Sequence, residues 1–187
     1  MSGISVVTAA TVDPVSLAEA KAHLRVTSSD DDALIVGYLV AARQFVEDYT
    51  GRTLSLQTYD YKIDDELCGE ILLPRPPLVS VTSVSYVDIN GATQTLSPSL
   101  YQVDTGILFG RIVPAYQATY PSVRVQPNAV TVRFQAGYTQ IPEPIRQAIL
   151  LLVSHFYDNR QPVVIGTSFS ELTFSVVALL TPYKVYL

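Results

Sequence analysis

Cysteine occurs once in this chain, at Cys68, which excludes an internal disulfide and any metal site built from cysteines. A single thiol fits a reducing compartment. Charge is also scarce. Asp, Glu, Lys and Arg make up 16% of the residues, against roughly 25% in ordinary soluble domains. Basic residues are the minority, 12 against 17 acidic, with a net charge of -5. That balance argues against a protein built to grip phosphates, which needs a basic stripe. Arg43, Arg52, Arg111, Arg124 and Arg133 are dispersed along the chain, so a basic groove is unsupported. The opening MSGISVVTAATVDP lacks the basic start and apolar core of a signal peptide. No apolar run approaches the roughly 18 residues of a membrane span. Internal repeats, low-complexity segments, GxSxG, HExxH and a glycine-rich phosphate loop are all missing.

What is present is apolar and tyrosine-rich. Apolar residues are 48% of 187, and there are 12 tyrosines. Such a chain can fill a sizeable core. A surface this poor in charge and rich in Tyr implies that part of it is covered by a partner.

The pattern along the chain reads helix, helix, a long β-rich middle, helix, helix. Ser16-Leu17-Ala18-Glu19 has capping-box spacing and opens a helix over about residues 17–26. A second helix starts in Ser28-Ser29-Asp30-Asp31-Asp32, where side chains cap free N–H groups, and stops at Thr50-Gly51. Its apolar positions form two adjacent stripes, Leu34, Tyr38, Ala41, Phe45 and Ile35, Leu39, Ala42, Val46. Together they are wider than one buried face requires. From Thr53 to about Ala136 the period changes to alternation, with an Asn90-Gly91 hairpin signal. The prolines of IPEPIRQAILLLVSHFYDNR (141–160) suit the first turn of a third helix. That helix carries an unbroken apolar run from Ala148 to Val153. A short fourth helix is predicted over about 175–183, after a loop at 159–171 read as mobile.

The predicted fold class is therefore α+β: a small α-helical bundle of about four helices, interrupted by a β-rich insertion of about six or seven short strands. The predicted divisions are 1–52, the N-terminal helical part of the core; 53–140, the β insertion; and 141–187, the helices that complete the core with a short tail.

Few residues suggest chemistry. His155 and Asp158 are three apart on a helix and can touch. A hydrolase or transferase would need a nucleophile and an oxyanion site beside them, and neither has a sequence signature. Cys68 lies in a loop-like segment with no motif. Packing near a helix end, where a cation suits the dipole, is the preferred reading of His155. Asp30, Asp31 and Asp32 lack the alternation, glycine and closing glutamate of a calcium loop, so helix capping is preferred there. His23 has no partner. Arg75, between prolines, reads equally as an interface anchor or a solvated charge. The residues thus describe a non-enzymatic, interface-rich protein with no cofactor.

Five segments in order carry a resemblance: VSLAEAKAHLRV (15–26), DDDALIVGYLVAARQFVEDYTGRTL (30–54), LPRPPLVSVTSVSYVD (73–88), IPEPIRQAILLLVSHFYDNR (141–160) and ALLTPYKV (178–185). Their order and spacing resemble the head–tail connector, or portal adaptor, proteins of long-tailed bacteriophages and phage-like gene transfer agents. The resemblance implies a virion protein of the neck, at the head–tail interface, made in the bacterial cytoplasm. It implies a ring of copies, commonly twelvefold, under the portal protein, with no catalysis, no cofactor and no membrane. DNA would pass through without specific binding, and the next neck protein, the stopper or head-completion protein, would dock below. A neck protein binding the tail side is the alternative. Subunit or portal contacts are then expected at Tyr38, Phe45, Arg75, Leu151 and Tyr157, and in the tail at Tyr183, Lys184, Val185, Tyr186 and Leu187. Asp30, Asp31, Asp32, Glu47 and Asp48 become candidates for an acidic channel wall, where weak attraction for phosphate favours passage.

Overall fold

A computed structural model describes residues 2–64, 67, 69–159 and 170–186. The chain forms two compact units. One comprises Met1–Thr11 and Ser55–Tyr138, the other Val12–Leu54 and Thr139–Leu187.

The first unit holds eight strands: β1 (Ser2–Thr8), β2 (Gln57–Ile63), β3 (Ile71–Leu72), β4 (Leu78–Val87), β5 (Thr93–Thr95), β6 (Tyr101–Asp104), β7 (Arg111–Pro114) and β8 (Val130–Ala136). They pair as a five-stranded sheet, β1-β2-β8-β4-β5, and a three-stranded sheet, β3-β7-β6. Every pairing is antiparallel. The central strand β8 explains the arrangement. Val130, Val132, Phe134 and Ala136 are buried, while Thr131, Arg133 and Gln135 alternate outward, the pattern of a sheet with one dry face. Tyr59, opposite Phe134 in the register, stacks on it at 5.6 Å between ring centroids. Val84, Leu96 and Ile112 complete this core. On the outer face Arg133 reaches Asp60 with two N–H groups, at 2.7 and 2.8 Å.

The predicted hairpin is present at β4–β5. Asp88 Oδ1 accepts from the N–H groups of Asn90 and Ala92, and Gly91 has φ 88°, which glycine adopts without a Cβ penalty. Gly110 answers a different need. A Cβ there would lie 2.2 Å from the Leu78 side chain, so only glycine lets this buried leucine approach.

The second unit holds α1 (Leu17–Leu24), α2 (Asp32–Thr50), α3 (Glu143–Asp158) and α4 (Ser170–Leu180), the last followed by a single 3-10 turn at Thr181–Tyr183. Ser16 Oγ accepts from the Glu19 N–H at 3.2 Å, as its spacing predicts. Arg25, in the left-handed conformation at φ 58°, ends α1 earlier than the apolar pattern suggests. Gly51, at φ 70°, ends α2. Ile35, Leu39, Ala42 and Val46 of α2 are buried. They pack with the α3 residues Ile145, Ala148, Ile149, Leu152 and Val153 in one helical core. Among the described residues no helix is long and apolar enough to cross a membrane.

This architecture corrects the predicted fold class. The chain is a β-rich α+β fold, with eight strands in two antiparallel sheets and four helices among the described residues, and the helices are not its core bundle. The strands carry their own core around Val132 and Phe134 rather than depending on a helical one. The sheet also takes an edge strand from the N-terminus. The sequence pattern assigns no element to that segment, Ser2–Thr8.

Candidate functional site

Most of the residues proposed from sequence fall into two places, the two ends of α2. At the N-terminal end of α2, the acidic run is held by partners. Tyr157 on α3 donates its hydroxyl to Asp31 Oδ2 at 2.6 Å. Lys21 on α1 donates to Asp32 Oδ1 at 2.6 Å. Asp30 accepts from Ser28 Oγ. Asp31 and Asp32 therefore tie α2 to α3 and α1, and Tyr157 is spent on that tie. Tyr38, about two turns further along, packs its ring 5.9 Å from that of Phe156.

The C-terminal end of α2 is where predicted residues converge. Phe45 stacks on Tyr49 with ring centroids 6.3 Å apart and planes 9° from parallel. The Lys184 ammonium sits 4.8 Å from the Tyr49 centroid and 5.2 Å from that of Tyr186, within cation–π range. The tail is pinned there by backbone bonds. The Val185 N–H donates to the Thr50 carbonyl at 2.9 Å. Arg52 Nε donates to the Tyr183 carbonyl at 2.6 Å. Glu47 lies in the same turn, but its Oε1 accepts the Leu54 N–H at 2.9 Å; Asp48 is exposed. Phe45, Lys184 and Tyr186 thus form one surface with Tyr49, which the sequence reading did not single out. The (i, i+4) spacing of Phe45 and Tyr49 was the available signal.

The outward face of α2 leading to this cluster carries exposed apolar side chains on both flanks, Val36 (42% exposed) and Val40 (39%) on one and Phe45 (45%) on the other. Ala33, Gly37, Ala41 and Gln44 lie on the same face and are also exposed. No charge interrupts the face between Asp32 and Glu47 except Arg43, which turns aside to Asp13 at 2.8 Å. The excess apolar surface thus belongs to α2. The greasier run of α3 is satisfied within the chain, with Ala148, Ile149, Leu150, Leu152 and Val153 buried and Leu151 half-buried.

The remaining predicted residues are separate. Arg75 is half-buried in the proline turn with φ 61°. His155 sits at the end of α3, where Asn159 caps it. The Asn159 side chain donates to the His155 carbonyl at 3.0 Å and lies 3.2 Å from its Nδ1. Asp158 is exposed. Leu187, Cys68 and most of the 159–171 loop lie outside the described residues. Among the described residues no group of three or more His, Cys, Asp or Glu gathers as a metal site.

Residues 15–171 match the family model of the head completion protein. The chain belongs to the head completion protein family. Solved structures with the same fold include a chain of the neck of a native gene transfer agent particle, computed with C12 symmetry. It has a TM-score of 0.77 and 23% identity, and the match covers 99% of this chain and 96% of that one. A chain of the neck of an empty gene transfer agent particle, computed with C6 symmetry, gives 0.74 and 23%, with the same coverage. A chain of the native gene transfer agent virion gives 0.73 and 24%, covering 98% and 96%. No curated protein matches the sequence. The five ordered segments resemble a head–tail protein of phages and gene transfer agents, and the family match bears out that coarser recognition; the family named is that of the head completion protein, which the resemblance had placed next to the adaptor.

Proposed function

We propose that this head completion family member is a non-catalytic connector of the particle neck, forming a ring beneath the portal. The ring extends the DNA channel and offers its far side to the next neck protein. The observation that carries the reading is the uncharged face of α2, with Val36, Val40 and Phe45, ending in the Phe45–Tyr49–Lys184–Tyr186 cluster. An uncharged face of this kind is the sort that marks interaction sites, and exposed aromatics beside a cation are typical anchors of protein interfaces. In a ring each copy meets two neighbours through different patches, so one apolar face per copy closes the circle. The rotational symmetry used for the neck structures of the same fold supports that use.

Of the residues expected at contacts, Phe45, Lys184 and Tyr186 fit this seam, and Val185 fixes the tail against α2. Arg75 and Tyr183 remain proposed contacts to the portal. The acidic residues suit the channel less directly, because Asp31, Asp32 and Glu47 hold the helical unit together. Asp48 is the exposed candidate for the wall. The net charge of -5 keeps attraction for passing phosphates weak.

The test is to mix the purified protein with purified portal and measure the mass of the product. A complex holding a full ring of copies per portal supports the connector reading. No association with folded portal, together with association with tail components, would move the protein to the tail side of the neck.

A further inference from the structure

Among the described residues no strand pairs with the outer edge of β1, and this edge is not part of the α2 face. Its residues, SGISVVT, include no charge and no proline. Positions 3–8 are all exposed, with Ile4 at 39% and Val6 at 53%. β1 is held to β2 in regular register from Ser2↔Ile63 to Val6↔Tyr59, with one irregularity before Thr8. Ile4 and Val6 share a face with Tyr61 and Tyr59, the face that covers the sheet core. The covering layer stops short of them. Among the described residues no backbone hydrogen bond reaches the outer side of β1. Natural sheet edges are usually blocked by lysine, proline, a central bulge or a covering segment. Here a regular stretch of five residues carries no such block.

We infer that β1 is the acceptor for an added strand, supplied by a different protein of the assembled neck. The inference rests on the connector reading above. The strand would be an uncharged extended segment of about six residues, with apolar or β-branched side chains at alternate positions. A second copy of this chain fits the edge poorly. All four pairings in the sheet are antiparallel, so β1 and β5 run the same way at opposite edges. Copies related by rotation that continue this sheet would pair seven residues of β1 in parallel with three of β5, and the edge strands of the smaller sheet, β3 with two residues and β6 with four, are also too short to match it. Pairing of β1 with another β1 is antiparallel but two-fold, and closes a dimer instead of extending a ring. A neck ring also meets unlike chains above and below, and these can donate a strand without disturbing its rotation.

Hydrogen exchange resolved to single amides tests this in the isolated protein and in assembled particles. In the isolated protein the amides of residues 3–8 that face β2 exchange slowly, and the alternate, outward set exchanges fast. The inference expects the outward set to slow by about tenfold or more in the particle. It also expects Ile4→Lys, in protein that its unfolding curve shows still folds, to abolish that slowing. Outward amides that stay fast in a particle containing the protein overturn the inference and leave the connector reading standing. Outward amides already slow in an isolated protein that sediments as a dimer also overturn it, in favour of self-pairing. Particles whose necks lack the protein overturn both.

Discussion

At the scale of single residues, ion pairs such as Arg133–Asp60 and Arg146–Glu19 join positions far apart in the chain. Ser16 caps α1 as its spacing predicts. Glu19, the expected reciprocal member of that box, instead accepts from Arg146 at 3.0 Å, a partner 127 residues away that no local pattern reveals. Asp60 is similar. Its two bonds from Arg133 hold its carboxyl below the usual carboxylate range. A carboxylate with a depressed folded value stabilises the fold above its unfolded pKa, and that contribution is lost as pH falls through the folded value. Asp60→Asn should therefore lower stability at pH 7 by a modest amount, since Arg133 is half in solvent. The gap to the unaltered protein should close as pH drops below the ordinary carboxylate pKa. Urea titrations at several pH values measure this directly. Gly110→Ala should cost more at every pH, about 1–3 kcal/mol, because the new methyl group overlaps the buried Leu78 side chain.

At the scale of elements, legibility followed the strength of the periodic pattern. β8 and α2 were visible because their buried positions repeat cleanly, Val130-Val132-Phe134 in one and Ile35-Leu39-Ala42-Val46 in the other. β1 was invisible because its side chains are exposed on both faces, so burial imposed no alternation on it. The excess apolar width of α2 was also legible, and it is the feature on which the connector reading stands. It leads to a pair of contrasting outcomes. Leu39→Ala, in the buried stripe, should destabilise the fold by about 2–5 kcal/mol. Val40→Glu, next to it in sequence but on the exposed face, should shift stability by no more than about 0.5 kcal/mol. It should nevertheless prevent ring formation, by placing an unpaired charge in a dry seam. Unfolding curves beside sedimentation of the portal mixture separate the two effects.

At the scale of the whole molecule, the pattern of helices flanking strands suggested a helical body with an appended sheet. Sequence order does not say which elements hold the larger core, and here the strands have a complete one of their own. The site was partly readable in the same sense. Phe45 and the tail residues were expected at contacts, but their meeting through Tyr49 and Lys184 depends on the tail bonding back to Thr50 and Arg52. The measurement that bears most directly on the account is an electron microscopy reconstruction of the protein bound to its portal. The account predicts a closed ring stacked coaxially on the portal, with Val36, Val40 and Phe45 of each copy buried against the next. A ring that leaves the α2 face in solvent, or no ring on an intact portal, would contradict it.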